Sequence, residues 1–173
     1  LGPGTPAGRL DVGTYGQTLT GLSGADSSNY VLASSGHQTG TLTITPAALT
    51  ITANGQTRLY GDADPALSYR VDGLVGGDSL TGALVRTAGE NVGTYAITQG
   101  SLTASSNYTI RFTGADLVIT PAMLSVVAAG ATKVYGDVDP SLGYSVSGLR
   151  RGDAAGDVLS GGLSRQTGEN RSG

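Results

Sequence analysis

Apolar and polar residues alternate along this chain in short runs. Leu49-Thr50-Ile51-Thr52 has the period of a strand with one buried face. Leu67, Tyr69 and Val71 share one face of the next run, while Ser68, Arg70 and Asp72 share the other. Tyr95-Ala96-Ile97 forms a further run, and Tyr108, Ile110 and Phe112 alternate with Thr109 and Arg111. Leu117-Val118-Ile119 closes the series. Between the runs lie turn formers: Gly61-Asp62, Gly76-Gly77-Asp78, Gly89-Glu90-Asn91 and Ser105-Ser106-Asn107. Asp64-Pro65 and Asp139-Pro140 put a fixed φ and a missing N–H beside a strand, which suits a turn or a strand edge. No window of about 11 residues has a helical period. Short strands with turn signals every 8–12 residues or so predict an all-β fold of tandem small β-sandwich (Ig-like) modules, with β-grasp-like small sheets as the alternative.

The pattern repeats. Ile44-Thr45-Pro46-Ala47 returns as Ile119-Thr120-Pro121-Ala122, and Tyr60-Gly61-Asp62 returns as Tyr135-Gly136-Asp137, both 75 residues on. Asp64-Pro65, Leu67-Ser68-Tyr69 and Asp78 find counterparts at the same offset. The offset grows to 79 at Gly168-Glu169-Asn170, which places a four-residue insertion near residues 156–162. Val12-Gly13-Thr14-Tyr15 matches Val92-Gly93-Thr94-Tyr95, and Asn29-Tyr30 matches Asn107-Tyr108. All eight tyrosines thereby fall into four pairs. Read from one Ile-Thr-Pro-Ala to the next, the chain divides into a partial repeat 1–47, a complete repeat 48–122 and a partial repeat 123–173; the alternative frame is 12–91 and 92–170. Residues 12–47 and 123–170 together hold one full set of strands, so they are expected to complete a domain either within one chain or, by head-to-tail self-association, between neighbouring chains.

Composition narrows the chemistry. With one Met, one Phe and no Trp, each core must be thin. Tyr60, Tyr69, Tyr95, Tyr108, Tyr135 and Tyr144 are therefore expected as core anchors, each burying a ring while its hydroxyl reaches a turn backbone. The net charge of −3 and scattered basic residues leave no face suited to a nucleic acid. Without cysteine there is no disulfide and no thiolate chemistry. No apolar run approaches the roughly 20 residues that cross a bilayer, so no membrane insertion is expected. No signal peptide is visible, and the chain reads as a piece of something longer.

Catalytic and metal constellations are sparse. His37, the only histidine, stands in a turn-like stretch without a counterpart. Glu90 and Glu169, the only glutamates, occupy equivalent turns, where a glycosidase would need two carboxylates facing each other. Asp62 with Asp64, and Asp137 with Asp139, present alternate carboxylates and are the candidates for Ca²⁺; no Glu follows at EF-hand spacing, and turn capping is the competing role. No other cofactor is expected. Lys133 is the only lysine and aligns with Arg58, which cannot form a lysine isopeptide.

The string Leu49-Thr50-Ile51-Thr52-Ala53-Asn54, Tyr60-Gly61-Asp62-Ala63-Asp64-Pro65, Gly77-Asp78-Ser79-Leu80, Gly89-Glu90-Asn91-Val92-Gly93-Thr94-Tyr95, Asn107-Tyr108 and Ile119-Thr120-Pro121-Ala122 resembles the MBG (YGX-type, YDG-like) repeat of large bacterial surface exoproteins. The resemblance implies a secreted or surface-displayed protein of the filamentous-haemagglutinin or biofilm-adhesin type, with modules in arrays and no catalytic residues. The function expected is a non-catalytic stalk, spacer or cell-attachment segment at the bacterial cell surface, whose partners are neighbouring repeats. The alternative is a glycan- or host-protein-binding module acting through exposed loops, with residues 156–162 as the candidate loop.

Overall fold

The computed structural model describes residues 9–18, 21–36 and 40–168. Its strands are β1 (Gly13–Gln17), β2 (Gly40–Ile44), β3 (Ala47–Ala53), β4 (Gln56–Leu59), β5 (Tyr69–Asp72), β6 (Val85–Arg86), β7 (Gly93–Thr98), β8 (Tyr108–Thr113), β9 (Ala115–Thr120), β10 (Ser125–Ala128) and β11 (Tyr144–Ser147). A 3₁₀ turn at Ser27–Asn29 and a one-turn helix α1 (Ala155–Val158) complete the list of elements. The fold is all-β. Two compact units divide the chain: one takes in residues up to Asn54 with Ser68–Val85 and Thr98–Gly114, the other Gly55–Leu67, Arg86–Ile97 and the residues from Ala115 on.

The first unit carries the antiparallel pair β1–β2 and the sheet β5-β3-β8. Strand β3 is its centre, antiparallel to β5 and parallel to β8, with Leu49 opposite Ile110 and Ile51 opposite Phe112. Leu49, Ile51, Ala53, Leu84 and Leu102 are its buried apolar side chains. Alternation fits here: within β3 the three buried positions are every second residue. On β5, by contrast, Val71 is exposed and Tyr69 half-buried, so the inward face expected of that run is only partly covered.

The second unit holds the sheet β4-β9-β7-β6 and the pair β10–β11. Strand β9 is antiparallel to β7 and parallel to β4, and buries Leu117 and Ile119; Ile97 of β7 is buried with them. Strand β4 has no apolar alternation because its inward side chain is Arg58, buried although charged. The insertion region is not a plain loop. It contains α1, whose first turn is capped where the Ala154 N–H donates to Asp157 Oδ2 at 3.0 Å.

The two repeats fold to the same registers. Gly13 faces Ile44 and Tyr15 faces Leu42, as Gly93 faces Ile119 and Tyr95 faces Leu117. Ile51 faces Val71 and Ala53 faces Tyr69, as Val126 faces Val146 and Ala128 faces Tyr144. Gly73 and Gly148, which follow β5 and β11, hold φ +90° and +94°, and a Cβ on either would collide with the carbonyl oxygen of Ala48 or Met123. Those two oxygens are themselves counterparts, so one backbone constraint demands glycine at both places. Each unit also contains one parallel pair, a feature that a strand's alternating pattern does not reveal.

Candidate functional site

The most ordered polar cluster is a closed ring of four charged side chains in the second unit. Arg58 donates from Nε to Asp64 Oδ1 and from Nη2 to Glu90 Oε2, both at 2.7 Å. Arg86 donates from Nε to Asp64 Oδ2 at 2.6 Å and from Nη2 to Glu90 Oε1 at 2.7 Å. Each carboxylate thus gives one oxygen to each arginine, an arrangement only a planar two-pronged cation can complete. The elements explain the placement: β4 aims Arg58 inward, β6 ends on Arg86, and the turns at residues 61–65 and 87–91 bring the acids. The remaining guanidinium nitrogen of Arg86 donates to the carbonyls of Thr87 and Gly89, tying the turn to the strand it follows.

Tyr95 finishes this turn. Its ring lies under the Arg86 guanidinium, 5.4 Å from centroid to carbon. Its hydroxyl donates to the Asn91 carbonyl at 2.7 Å. Gly89, at φ +148°, leaves the room the ring needs, because any Cβ would enter the ring. Tyr15 makes the same bond to the Asp11 carbonyl at 2.8 Å, so Gly-Thr-Tyr fulfils one task twice.

Hydrogen bonds from Arg86 first, and then from Arg58, hold the Asp64 and Glu90 carboxyls below their usual range. A general acid needs a carboxyl pushed the other way, and neither of these is. Lys133, Asp139 and Arg165 repeat the cluster in the next copy: Lys133 donates to Asp139 Oδ1 at 2.7 Å, and Arg165 to Asp139 Oδ2 at 2.6 Å. Its fourth position, Glu169, lies outside the described residues, as does His37.

Three of the four calcium candidates, Asp62, Asp64 and Asp139, have their carboxylates engaged by cations. Asp64 and Asp139 each sit between two of them, Asp62 pairs with Arg150 at 3.1 Å, and the Asp137 carbonyl accepts from Lys133 at 3.2 Å. Among the described residues no cluster of three or more His, Cys, Asp or Glu side chains is placed to hold a metal. Of the tyrosines named as core anchors, Tyr60, Tyr69, Tyr95 and Tyr108 are half-buried. Tyr135 and Tyr144 are not core residues in this chain: they are 88% and 44% exposed. The physical reason is a missing partner: among the described residues, 131–134 have no parallel strand such as β9 gives β4. The core proper is aliphatic, and Tyr15, Tyr95 and Tyr108 finish turns through their hydroxyls.

Polar contacts also gather where one repeat passes to the next. In the first unit Arg9 donates to the Gly76 carbonyl at 2.8 Å and to Asp78 Oδ2 at 2.7 Å. Asn107 accepts from the Val12 N–H at 2.8 Å and donates to Asp11 at 2.7 Å. Tyr108 donates a short hydrogen bond to Asp78 and accepts from the Val75 N–H, so Asp78 raises the Tyr108 hydroxyl while Tyr108 lowers Asp78. In the second unit Tyr60, Val92, Pro121, Leu149 and Val158 line a cleft of about 270 Å³. Around it Tyr60 donates to Asp153 at 3.3 Å, Arg150 to Asp62 at 3.1 Å, and Arg151 to Glu90 at 3.1 Å.

The family model for the MBG domain (YGX type) matches residues 49–118 and again residues 124–173. The chain belongs to this family. The two MBG matches begin 75 residues apart, the spacing of the repeat. The Tyr-Gly-X step is here Tyr60-Gly61-Asp62, the segment that meets Arg150 and Asp153. No curated protein and no solved structure matches the chain significantly. MBG domains are repeat domains of surface proteins and are generally non-catalytic. Among the described residues no helix is long and apolar enough to cross a membrane.

The ring around Arg58 was the part that sequence reading missed. The signal was present: Arg58 with Lys133, Asp64 with Asp139, Arg86 with Arg165 and Glu90 with Glu169 are four aligned charged pairs. Turn formers between them draw attention to the backbone rather than to the charges.

Proposed function

We propose that this chain is a spacer segment of a secreted or surface-displayed bacterial adhesin, in which MBG repeats set the reach of an attachment protein by their number. One observation carries this reading: at the first junction the passage between repeats is almost strand to strand, and at the second only residues 121–124 separate β9 from β10. β2 ends at Ile44 and β3 begins at Ala47, leaving only Thr45 and Pro46 between them. Proline fixes its own φ and restricts the threonine before it, so so short a passage has little freedom. The equal registers of the two copies support an additive build, in which each further repeat adds the same length. The ring of ion pairs serves the shape of the repeat rather than chemistry.

Small-angle scattering on tandem arrays of two, four and eight copies of residues 48–122 tests this. A maximum dimension rising in proportion to copy number is expected. Growth close to the square root of copy number, as for a flexible string, would refute the spacer reading.

A further inference from the structure

The loops after β5 and β11, residues 73–78 and 148–153, close with the same turn hydrogen bond but differ in backbone. After the leading Gly73 and Gly148, Gly77 alone is at positive φ in the first, Arg151 and Gly152 together in the second. The Asp78 N–H donates to the Val75 carbonyl at 3.1 Å, and the Asp153 N–H to the Arg150 carbonyl at 2.9 Å. Both loops meet the preceding repeat through an aspartate, Asp78 with Arg9 and Asp153 with Tyr60, but only the second adds cations. At the first joint the preceding segment supplies the cation, Arg9, and the loop supplies the acid, Asp78. At the second joint the loop supplies the cations, Arg150 and Arg151, and the preceding repeat supplies Asp62 and Glu90. The counterparts of those arginines at the first joint are Val75 and Gly76, and the counterpart of Arg9 is Gly89.

Two further features mark the second loop. Arg151 has φ +54°, the only non-glycine among the described residues at positive φ. Such a backbone is uncommon for a side chain and points to a constraint beyond folding. The Arg150 stem covers Gly61, where any Cβ would collide with it. The turn already requires glycine here, at φ +89° as at Gly136 with +91°, and the Arg150 stem occupies the room this leaves.

We infer that residues 148–153 form a docking loop that seats its repeat on the preceding one, with Arg150 and Arg151 gripping Asp62 and Glu90 to set the angle of the joint. The partner of this surface is the Tyr-Gly-X face of another MBG repeat. Both loops keep the aspartate, Asp78 and Asp153, and the second adds Arg150 and Arg151, whose acids Asp62 and Glu90 lie on its own predecessor. This rests on the spacer reading and names what makes the spacer stiff.

The chain lacks cysteine, so Thr57→Cys with Ser145→Cys, exposed sites in successive repeats, would carry the only two spin labels. Pulsed dipolar spectroscopy on the full chain at low salt should give one narrow distance. Arg150→Asp should broaden that distribution about twofold, as unpinned neighbours move freely. Adding Asp62→Arg should restore the narrow form. Raising the salt on the chain with native Arg150 and Asp62 should broaden it too, with no substitution at the loop. Arg151→Gly separates docking from local strain: relief of strain alone would leave the width unchanged, whereas docking predicts broadening. A width that ignores both Arg150→Asp and salt overturns the inference. So does a double variant that stays broad. Proportional growth of array length would survive that failure, because the prolines could stiffen the passage unaided.

Discussion

The central repeat and the one after it share one strand pair, β3–β5 in the first and β10–β11 in the second, but reach different ends. Leu49 and Ile51 on β3 are fully buried, while their counterparts Leu124 and Val126, leading into and on β10, are 36% and 45% exposed. The Arg58 side chain is 3% exposed and Lys133 29%. What differs is the company of strands. β3 has β5 on one edge and β8 on the other, and β4 lies beside β9; β10 has only β11, and residues 131–134 have no partner strand among the described residues. Register is thus a local property, set by alternation and by glycines such as Gly73 and Gly148. Burial is not local, because the strands that complete it come from more than 50 residues later in the sequence.

The largest expected effect contrasts equivalent core positions. Ile51→Ala should cost about 3 kcal/mol in urea unfolding, whereas Val126→Ala should cost less than about 1 kcal/mol. Appending a second copy of residues 92–122 after residue 168 should raise the Val126→Ala cost toward that of Ile51→Ala. If the two costs are equal in the chain as it stands, the contrast fails.

Arg58→Ala should come next, at about 2 kcal/mol, since it removes a buried stem and leaves Asp64 with Arg86 alone and Glu90 with Arg86 and the exposed Arg151. Lys133→Ala, at an exposed pair, should change stability by about 0.5 kcal/mol or less. Gly73→Ala and Gly148→Ala should each cost about 1–2 kcal/mol and, unlike the core pair, should cost alike, because each meets the same local obstacle. Hydrogen exchange at β5 and β11 would read the two separately.

The smallest effect concerns acid. Arg86 lowers the Asp64 and Glu90 carboxyls, so their contribution is complete above the unfolded carboxylate range near pH 4 and is lost as pH falls through the lower folded values. The stability gap between the native protein and Asp64→Asn should therefore close at low pH. A gap that stays constant from pH 7 to pH 2 or so would remove this ring from the account.

Much of this was legible beforehand. Alternation at Leu49–Thr52, Tyr108–Phe112 and Leu117–Ile119 marks β3, β8 and β9, and the 75-residue offset anticipates equal registers. Three things were hidden, each for a physical reason. β4 reads as polar because its buried residue is an arginine, neutralised by Asp64 from the next turn and by Glu90 from 32 residues on. Parallel pairing leaves no trace in a single strand's pattern. α1 is one turn long, too short to show a period, and rests on its Asp157 cap.

The parallel pairs bear on how an array would carry tension. Force entering through Pro46 pulls directly on β3, which six register pairs join to β8 in parallel. Force leaving through Pro121 pulls on β9, joined by four register pairs to β4 in the same sense. Strands loaded this way must slide along their whole length at once, whereas a hairpin opens one rung at a time. A stretched repeat would therefore yield late and abruptly, giving tall, evenly spaced peaks in single-molecule pulling; low, gradual extension would show that the load takes another path.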